Sequence, residues 1–315
     1  MAASLVIGGN GFLGSHVVDA LVELGDTVTV FDRFSSRPTY TASDVRSVVG
    51  EFESHADLRG ALEGQQNLFH FLSTTTPMTA ENDPSMDVRT NLSASVELFE
   101  LAVQAGVQRV FFASTGGAIY GDQAGQLVTE MVVPQPLSPY AIGKLAIEGY
   151  LRYFRRKHGL QSVSFRISNP YGPRQHPQKR QGVIPIFLQR IADGQPVKVF
   201  GDGSMVRDYL YVEDAARMVT VAAAGEPRHD VYNIGSGIGV SVNELLAVAR
   251  EVTGRPVEVQ HTEQPVTFVN RSVLDVSRFS QEFGLTASVS LREGMERTWR
   301  ATVSEQPTEG PGDTA

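Results

Sequence analysis

The residues from Ser4 to Gly14 read Ser-Leu-Val-Ile-Gly-Gly-Asn-Gly-Phe-Leu-Gly, and they leave this chain few folds to choose from. Leu5, Val6 and Ile7 form a short apolar run, the pattern of a strand buried on both faces. Gly8, Gly11 and Gly14 follow, and a helical apolar spacing takes over through Phe12, Leu13, Val17, Val18 and Leu21. Strand, glycine turn and helix are the context in which this glycine spacing holds a dinucleotide. Gly8 permits the tight turn, Gly11 lets backbone approach a pyrophosphate, and Gly14 lets the helix pack close to the strand. The free N–H groups and positive dipole end of the helix complete an anion site.

Thr27 to Phe31 reads as the second strand, with Asp32 at its end. An acid about 20 residues beyond the glycines is placed to accept both ribose hydroxyls of NAD and to repel the extra phosphate of NADP. Arg33 and Arg37 keep NADP as the second reading. Further strand signals fall at Arg46–Val49, Asn67–Leu72, Arg109–Ala113 and Val163–Ile167. Helical signals separate them: Ala56–Leu62, a long helix opened by Asp83-Pro84 and closed by Gly106, and Pro139–His158. This alternation predicts an α/β fold, a doubly wound parallel sheet of Rossmann type over residues 1–168.

The second half is richer in proline and glycine, with helices expected at Ile184–Ala192, Val212–Ala223 and Val242–Val252. It reads as a smaller α/β substrate lobe over 169–303, its elements interleaved with the first domain, closing over the carboxyl ends of the sheet. The polar tail 304–315 is expected to be disordered.

Composition narrows the partners. A formal net charge of −8 with no basic stripe argues against nucleic acid. The absence of cysteine excludes disulfides, thiolate metal sites and a cysteine nucleophile. No apolar run approaches a membrane span and no signal segment opens the chain, so a soluble, cytoplasmic protein without a membrane partner is expected. Asp, Glu and His show no metal-ligand spacing, and no metal is expected. His70, in an apolar strand, reads as a core histidine.

The second informative stretch is Ser138-Pro139-Tyr140-Ala141-Ile142-Gly143-Lys144. Ser138 caps a helix and Pro139 suits its first turn. Tyr140 and Lys144, four residues apart, share one helix face. A free tyrosine titrates near 10, so a base active near neutrality needs a downward shift of about three units. A nearby cation such as Lys144, together with the charge of oxidised nicotinamide, would shift it in that direction.

With Gly8–Gly14, Asp32, Asn91, Ser114–Gly121, Tyr140/Lys144, Asn169-Pro170-Tyr171-Gly172-Pro173-Arg174 and Gly201-Asp202-Gly203 through Arg207-Asp208-Tyr209, the chain resembles the extended short-chain dehydrogenase/reductases. Within them it resembles the NAD-dependent sugar epimerase/dehydratase group, from Leu5 to about Trp299. The resemblance implies that Tyr140 is the acid/base and that Lys144 binds the nicotinamide ribose and tunes it. It implies NAD contacts at Gly8, Gly11, Phe12, Leu13, Asp32, Glu51, Leu72, Asn91, Ser114, Tyr140 and Lys144, and that Asn91 helps place the catalytic helix, with an ordinary helix-surface amide as the other reading. Asn169 would contact the nucleotide sugar and Arg207 its diphosphate; a salt bridge from Arg207 to Asp208 or Glu213 is the competing reading. The helices Asp87–Ala105 and Pro139–His158 would form a four-helix homodimer interface.

The resemblance also bears on the reaction. The dehydratases and decarboxylases of the group carry an acid after the catalytic hydroxyl residue at the end of the fifth strand. Here Ser114–Gly121 holds no carboxylate, which leaves 4-epimerisation of a UDP-hexose, UDP-glucose or UDP-galactose, through a 4-keto intermediate. The group's catalytic Ser/Thr position falls on Gly116, so either Thr115 or Ser114 supplies the hydroxyl through a shifted turn or that assistance is absent, and Thr115 is preferred. Ser272 stands where related epimerases carry a gate residue, and its small size would admit N-acetylated sugars. His176 stands where glucuronate epimerases place an Arg; Lys179 and Arg180 could assist it, which keeps UDP-glucuronate as an alternative. A 4-keto nucleotide-sugar reductase would use the same Tyr140/Lys144 pair.

Overall fold

The computed structural model describes residues 1–123, 125–176, 182–263 and 269–304. The tail expected from 304 onward lies outside them except for Ser304, as do Lys179 and Arg180.

The first half alternates as its apolar pattern demands. β1 (Ala3–Ile7) leads into α1 (Phe12–Glu23), then β2 (Thr27–Asp32) and β3 (Val45–Val49). α2 (His55–Leu62), β4 (Asn67–His70), α3 (Pro77–Asn82) and α4 (Pro84–Asp87) follow. A π-helical turn at Val88–Ser93 joins α4 to α5 (Ala94–Gln104). β5 (Arg109–Thr115), α6 (Pro139–His158) and β6 (Gln161–Ile167) complete this part.

The second half runs β7 (Asn169–Tyr171), α7 (Val183–Ala192), β8 (Val197–Phe200), β9 (Val206–Tyr211) and α8 (Val212–Ala224). Then come β10 (Val231–Ile234), β11 (Gly239–Ser241), α9 (Val242–Thr253), β12 (Val259–Thr262), β13 (Arg271–Ser272), α10 (Ser277–Phe283) and α11 (Leu291–Ser304).

Among the described residues the main sheet has seven strands in the order β10-β6-β5-β4-β1-β2-β3, every pair parallel. Parallel strands covered on both faces need continuous apolar runs, and Leu5, Val6, Ile7, Leu68 and Phe69 are fully buried. α1 lays Val17, Val18 and Leu21 into one core layer, together with Val219 and Ala222 of α8. Each such large side chain contributes about 1.5–3 kcal/mol. The second half therefore gives α8 and the edge strand β10 to the first sheet. Its remaining strands form a sheet of β11, β9 and β13, with β7 on β9 and a separate β8–β12 pair. Ile184, Phe187, Val199, Leu245 and Met295 make the core of this smaller lobe.

The chain leaves β1 for β2 and β3 on one side, and β4 returns on the other. Such a switch point opens a crevice beyond the carboxyl ends of the strands. The long helix expected between Asp83 and Gly106 forms from Pro84 to Gln104, with a π segment at Val88–Ser93 inside it. The π turn carries one residue more per turn and brings Asn91 inside. There its Nδ2 donates to Thr75 Oγ1 and to Asp87 Oδ1, both at 2.8 Å, and its Oδ1 accepts from the Thr74 N–H at 2.8 Å. Neither Gly nor Pro marks the interruption in the sequence, because internal hydrogen bonds hold it.

Candidate active site

The crevice is a cleft of about 2590 Å³ between the ends of the main sheet and the smaller lobe. At one end lies the glycine turn. Gly8 has φ +82°, and a Cβ there would stand 2.7 Å from the backbone N of Leu72. A Cβ on Gly14 would stand 2.2 Å from the Gly8 carbonyl oxygen. No side chain caps α1 at Gly11, so its first N–H groups are left for an anion. Asp32 opens onto this end of the cleft, its Oδ2 accepting from Asn10 N–H at 3.1 Å and its Oδ1 from Arg33 N–H at 2.8 Å. Phe12, Leu13, Glu51 and Leu72 line the same end. A backbone cradle that excludes Cβ atoms, an uncapped helix start and a fixed carboxylate fit a dinucleotide with free ribose hydroxyls.

At the other end α6 begins. Ser138 Oγ accepts from the Ala141 N–H at 3.4 Å, and Pro139 occupies the first turn. Tyr140 and Lys144 follow, one turn apart and both on the cleft wall. Lys144 Nζ donates to the Ala113 carbonyl at 2.9 Å and lies 4.7 Å from the Phe112 ring and 5.7 Å from the Tyr140 ring. Thr115, at the end of β5, also opens onto the cleft. Neither its hydroxyl nor that of Tyr140 bonds to another described residue.

The electrostatics correct one expectation. Lys144 does not lower the Tyr140 pKa in the protein alone: burial, aided by Asp87, pushes the phenol up to about 12. Burial pushes Lys144 down to about 8 against the opposing pull of Asp87. Desolvation disfavours the charged form of each, and so raises the phenol and lowers the ammonium.

Beneath the pair is a buried network that sequence reasoning missed. Ser114 Oγ donates to Glu148 Oε1 at 2.6 Å. Arg166 donates to both oxygens of Glu148, at 3.1 and 2.8 Å, and to the Tyr120 hydroxyl at 2.9 Å. Tyr120 in turn donates to Asn233 Oδ1 at 2.7 Å. Glu148 stands four residues after Lys144 and so shares its helix face. A carboxylate on a buried face, and an arginine inside the apolar strand Val163–Ile167, were the signals available.

The lobe side supplies Arg207, Asn169 and His176, all lining the cleft. Arg207 takes neither of the acids considered as partners. It donates to the carbonyls of Val206 at 2.8 Å, Asn270 at 3.4 Å and Val269 at 2.5 Å, and among the described residues it forms no salt bridge. Asp208 turns away to accept from Ser236 N–H and Oγ and from the N–H groups of Gly237 and Leu274. Glu213 pairs with Arg297 at 3.2 Å. Burial lowers the Arg207 pKa, so a bound anion would relieve a desolvated cation. Asn169 Nδ2 donates to the Asp208 carbonyl at 2.9 Å.

Three expected contacts are not on the cleft wall. Asn91 is buried behind it, its amide taken by Thr74, Thr75 and Asp87. Gly116 is covered, since a Cβ there would meet Leu274 at 2.5 Å and the Arg166 carbonyl at 2.7 Å. Ser272 pairs with Arg207 in the register of β13 on β9 and is buried, its hydroxyl donating to the Gly116 carbonyl at 3.4 Å.

The two ends of the cleft are fastened together outside it. Arg174 pairs with Asp19 of α1 at 2.8 Å, and Asp19 also accepts from the N–H groups of Thr41 and Ala42. His16 Nε2 donates to the Pro173 carbonyl at 3.2 Å.

Comparison with known proteins agrees with this geometry. A family model described as the NAD dependent epimerase/dehydratase family matches residues 4–235. The chain is 34% identical over 302 residues to the UDP-glucose 4-epimerase of Mycolicibacterium smegmatis, covering 94% of this chain and 96% of that protein. A crystal structure of UDP-glucose 4-epimerase from Thermotoga maritima with UDP-glucose superimposes with a TM-score of 0.91 at 36% identity, covering 96% of this chain and 99% of the other. The UDP-glucose 4-epimerase of Thermus thermophilus in complex with NAD gives a TM-score of 0.91 at 33% identity, covering 96% and 100%.

Proposed function

We propose that this chain, which belongs to the NAD-dependent epimerase/dehydratase family, inverts the C4 hydroxyl of a UDP-hexose, with UDP-glucose and UDP-galactose as the interconverted pair. One observation carries the reading: a single cleft holds a glycine cradle, the Tyr140–Lys144 pair and Arg207, a cation in no salt bridge among the described residues. The relatives named UDP-glucose 4-epimerase support it.

Gly8, Gly11, Phe12 and Leu13 would hold the pyrophosphate of NAD, Asp32 its ribose hydroxyls, and Tyr140 and Lys144 its nicotinamide end. When bound, NAD supplies a reversible hydride acceptor. Tyr140 receives the proton of the sugar 4-hydroxyl and later returns it. Lys144 supplies part of the positive charge that brings the phenol down from about 12 toward neutrality. Thr115 offers its hydroxyl to the same sugar oxygen. Arg207 holds the diphosphate while the 4-keto sugar turns about its bond to that group, so that the second face is reduced. No carboxylate stands between Ser114 and Gly121 to eliminate water or to assist loss of carbon dioxide.

His176, exposed on the cleft wall, is where a sugar carboxylate would be met, and UDP-glucuronate is the second substrate to test. Ser272, small and buried, makes UDP-N-acetylglucosamine a further substrate to test. We further propose a homodimer through the outer faces of the π turn and α6, where Val88, Ile142, Tyr150 and Tyr153 are exposed. A species of twice the chain mass is expected in sedimentation velocity.

The decisive experiment incubates the purified protein with UDP-galactose, UDP-glucose, UDP-N-acetylglucosamine and UDP-glucuronate and identifies products by NMR. Epimerised UDP-galactose, NAD retained through purification, and a loss of about 10²–10⁴-fold in Tyr140→Phe are expected. Turnover of none of the four would refute the reading. Release of reduced or oxidised cofactor in every cycle would replace it with a reductase.

A further inference from the structure

Behind the cleft wall, α4 ends in a buried acid that the reaction as described does not use. Asp87 is 3% exposed. Its Oδ1 accepts from Thr75 Oγ1 at 2.5 Å and from Asn91 Nδ2 at 2.8 Å. Its Oδ2 lies against the backbone of α6, where a Cβ on Gly143 would stand 2.1 Å from it. Gly143 falls between Tyr140 and Lys144 in the sequence, and its missing side chain lets the carboxylate reach the helix at that point. A small cavity behind the wall is lined by Asp87, Tyr140, Lys144 and Asn91, with His70 and Ser95 from β4 and α5. The π turn and its amide, Asn91, hold the acid in place.

We propose that Asp87 is a positioning residue for the Tyr140–Lys144 pair: pressed against α6 at Gly143, its carboxylate is the buried counter-charge that keeps both groups protonated at rest. The inference rests on the acid/base roles given to that pair above.

The charges around Asp87 can be enumerated. α6 contributes Tyr140 and Lys144. β4 contributes His70, which burial and then Lys144 push down to about 3, so it is neutral over the working range. Arg89 of the π turn is exposed and pairs with Asp83 of the loop before α4 at 3.7 Å. Glu81 of α3 lines the cleft on the other side of the wall. A negative charge favours an ammonium and disfavours a phenolate, and Asp87 raises both Tyr140 and Lys144. The working form is phenolate with ammonium. Its acid limit is set by Tyr140 and its alkaline limit by Lys144, as apparent values of the coupled pair. Removing the counter-charge lowers both limits together.

The test is Asp87→Asn, which keeps the shape of the side chain and removes its charge. The pH profile of kcat/KM is expected to move to lower pH as a whole, by about one unit, a tenfold change in rate on either limb. A purely structural role would lower the plateau and leave both limbs in place, and that result would overturn the proposal. Two readouts need no turnover and separate this inference from the substrate reading. Both use the NAD-bound protein without sugar. One is the near-ultraviolet tyrosinate titration assigned with Tyr140→Phe; the other is the ¹³C-lysine NMR titration assigned with Lys144→Arg. Each midpoint should fall in Asp87→Asn, and unchanged midpoints would refute the assignment even if every sugar in the panel were turned over. Should Asp87→Asn fail to fold, Gly143→Ala takes its place. The added methyl displaces the carboxylate, so both midpoints should fall by less, and wild-type midpoints in that variant would overturn the proposal.

Discussion

The two ends of the cleft are built in opposite ways. The dinucleotide end is backbone: a turn, a helix start and three missing side chains, all between Ile7 and Phe12 apart from Gly14 and Asp32. The sugar end is side chains brought from β5, α6, β7 and β9, held by charges that are themselves buried. Its support is Glu148 on Arg166, with Asp87 at Gly143. A site made of backbone keeps its shape wherever steric rules are obeyed. One made of paired charges depends on every partner being present, because an unpaired buried charge is far costlier than a lost contact.

That contrast can be broken or sharpened. The largest effect is expected beneath the sugar end. Arg166→Leu leaves Glu148 buried without its partner and should cost about 3–5 kcal/mol by urea unfolding. The double variant with Glu148→Leu should recover part of that loss. If Arg166→Leu were as stable as the parent, the claim that this end depends on paired charges would fail.

Gly14→Ala should act on binding. The methyl meets the Gly8 carbonyl at 2.2 Å, and displacing either element should weaken NAD binding in titration calorimetry by about 10–100-fold, the equivalent of 1–3 kcal/mol. Unchanged affinity would mean that the turn tolerates what its geometry forbids.

The last effect is absent at neutral pH, grows only on acidification, and involves one histidine from each end. Burial lowers His16 from 6.5 to about 4, and burial with Lys144 lowers His70 to about 3. Both are neutral when folded and titrate near 6.5 when unfolded. Their contribution is fully present above about pH 6.5 and is lost as pH falls toward 4 and 3, at up to about 1.4 kcal/mol per pH unit for each. Unfolding free energies between pH 7 and pH 5 should show this slope. His16→Gln should reduce it by about half, and an unchanged slope would remove His16 as a cause.

The same contrast explains what could be read in advance. Leu5 to Gly14 announces strand, turn and helix, because each local rule there agrees with the tertiary structure. Tyr140 and Lys144 were legible from spacing four apart, and both are on the cleft wall. Ser272 was not, because its depth is set by the pairing of β13 with β9, a long-range register that no local pattern encodes. The depth of Asn91 was hidden for a related reason: the π turn that carries it inward is held by Thr74, Thr75 and Asp87, and the apolar spacing on either side does not mark it. The raised pKa of Tyr140 was missed because sequence names the neighbouring cation but not the depth of burial, and here burial is the stronger of the two.

The fastening between Arg174 and Asp19, with His16 on the Pro173 carbonyl, has a mechanical consequence. The stretch that leaves β7 is tied to α1, the helix that begins at the glycine turn, so those two walls cannot part without breaking the ion pair. α7 and the β8–β12 pair take no part in that tie; they pack in one core with Tyr171 of β7 and Tyr209 and Tyr211 of β9.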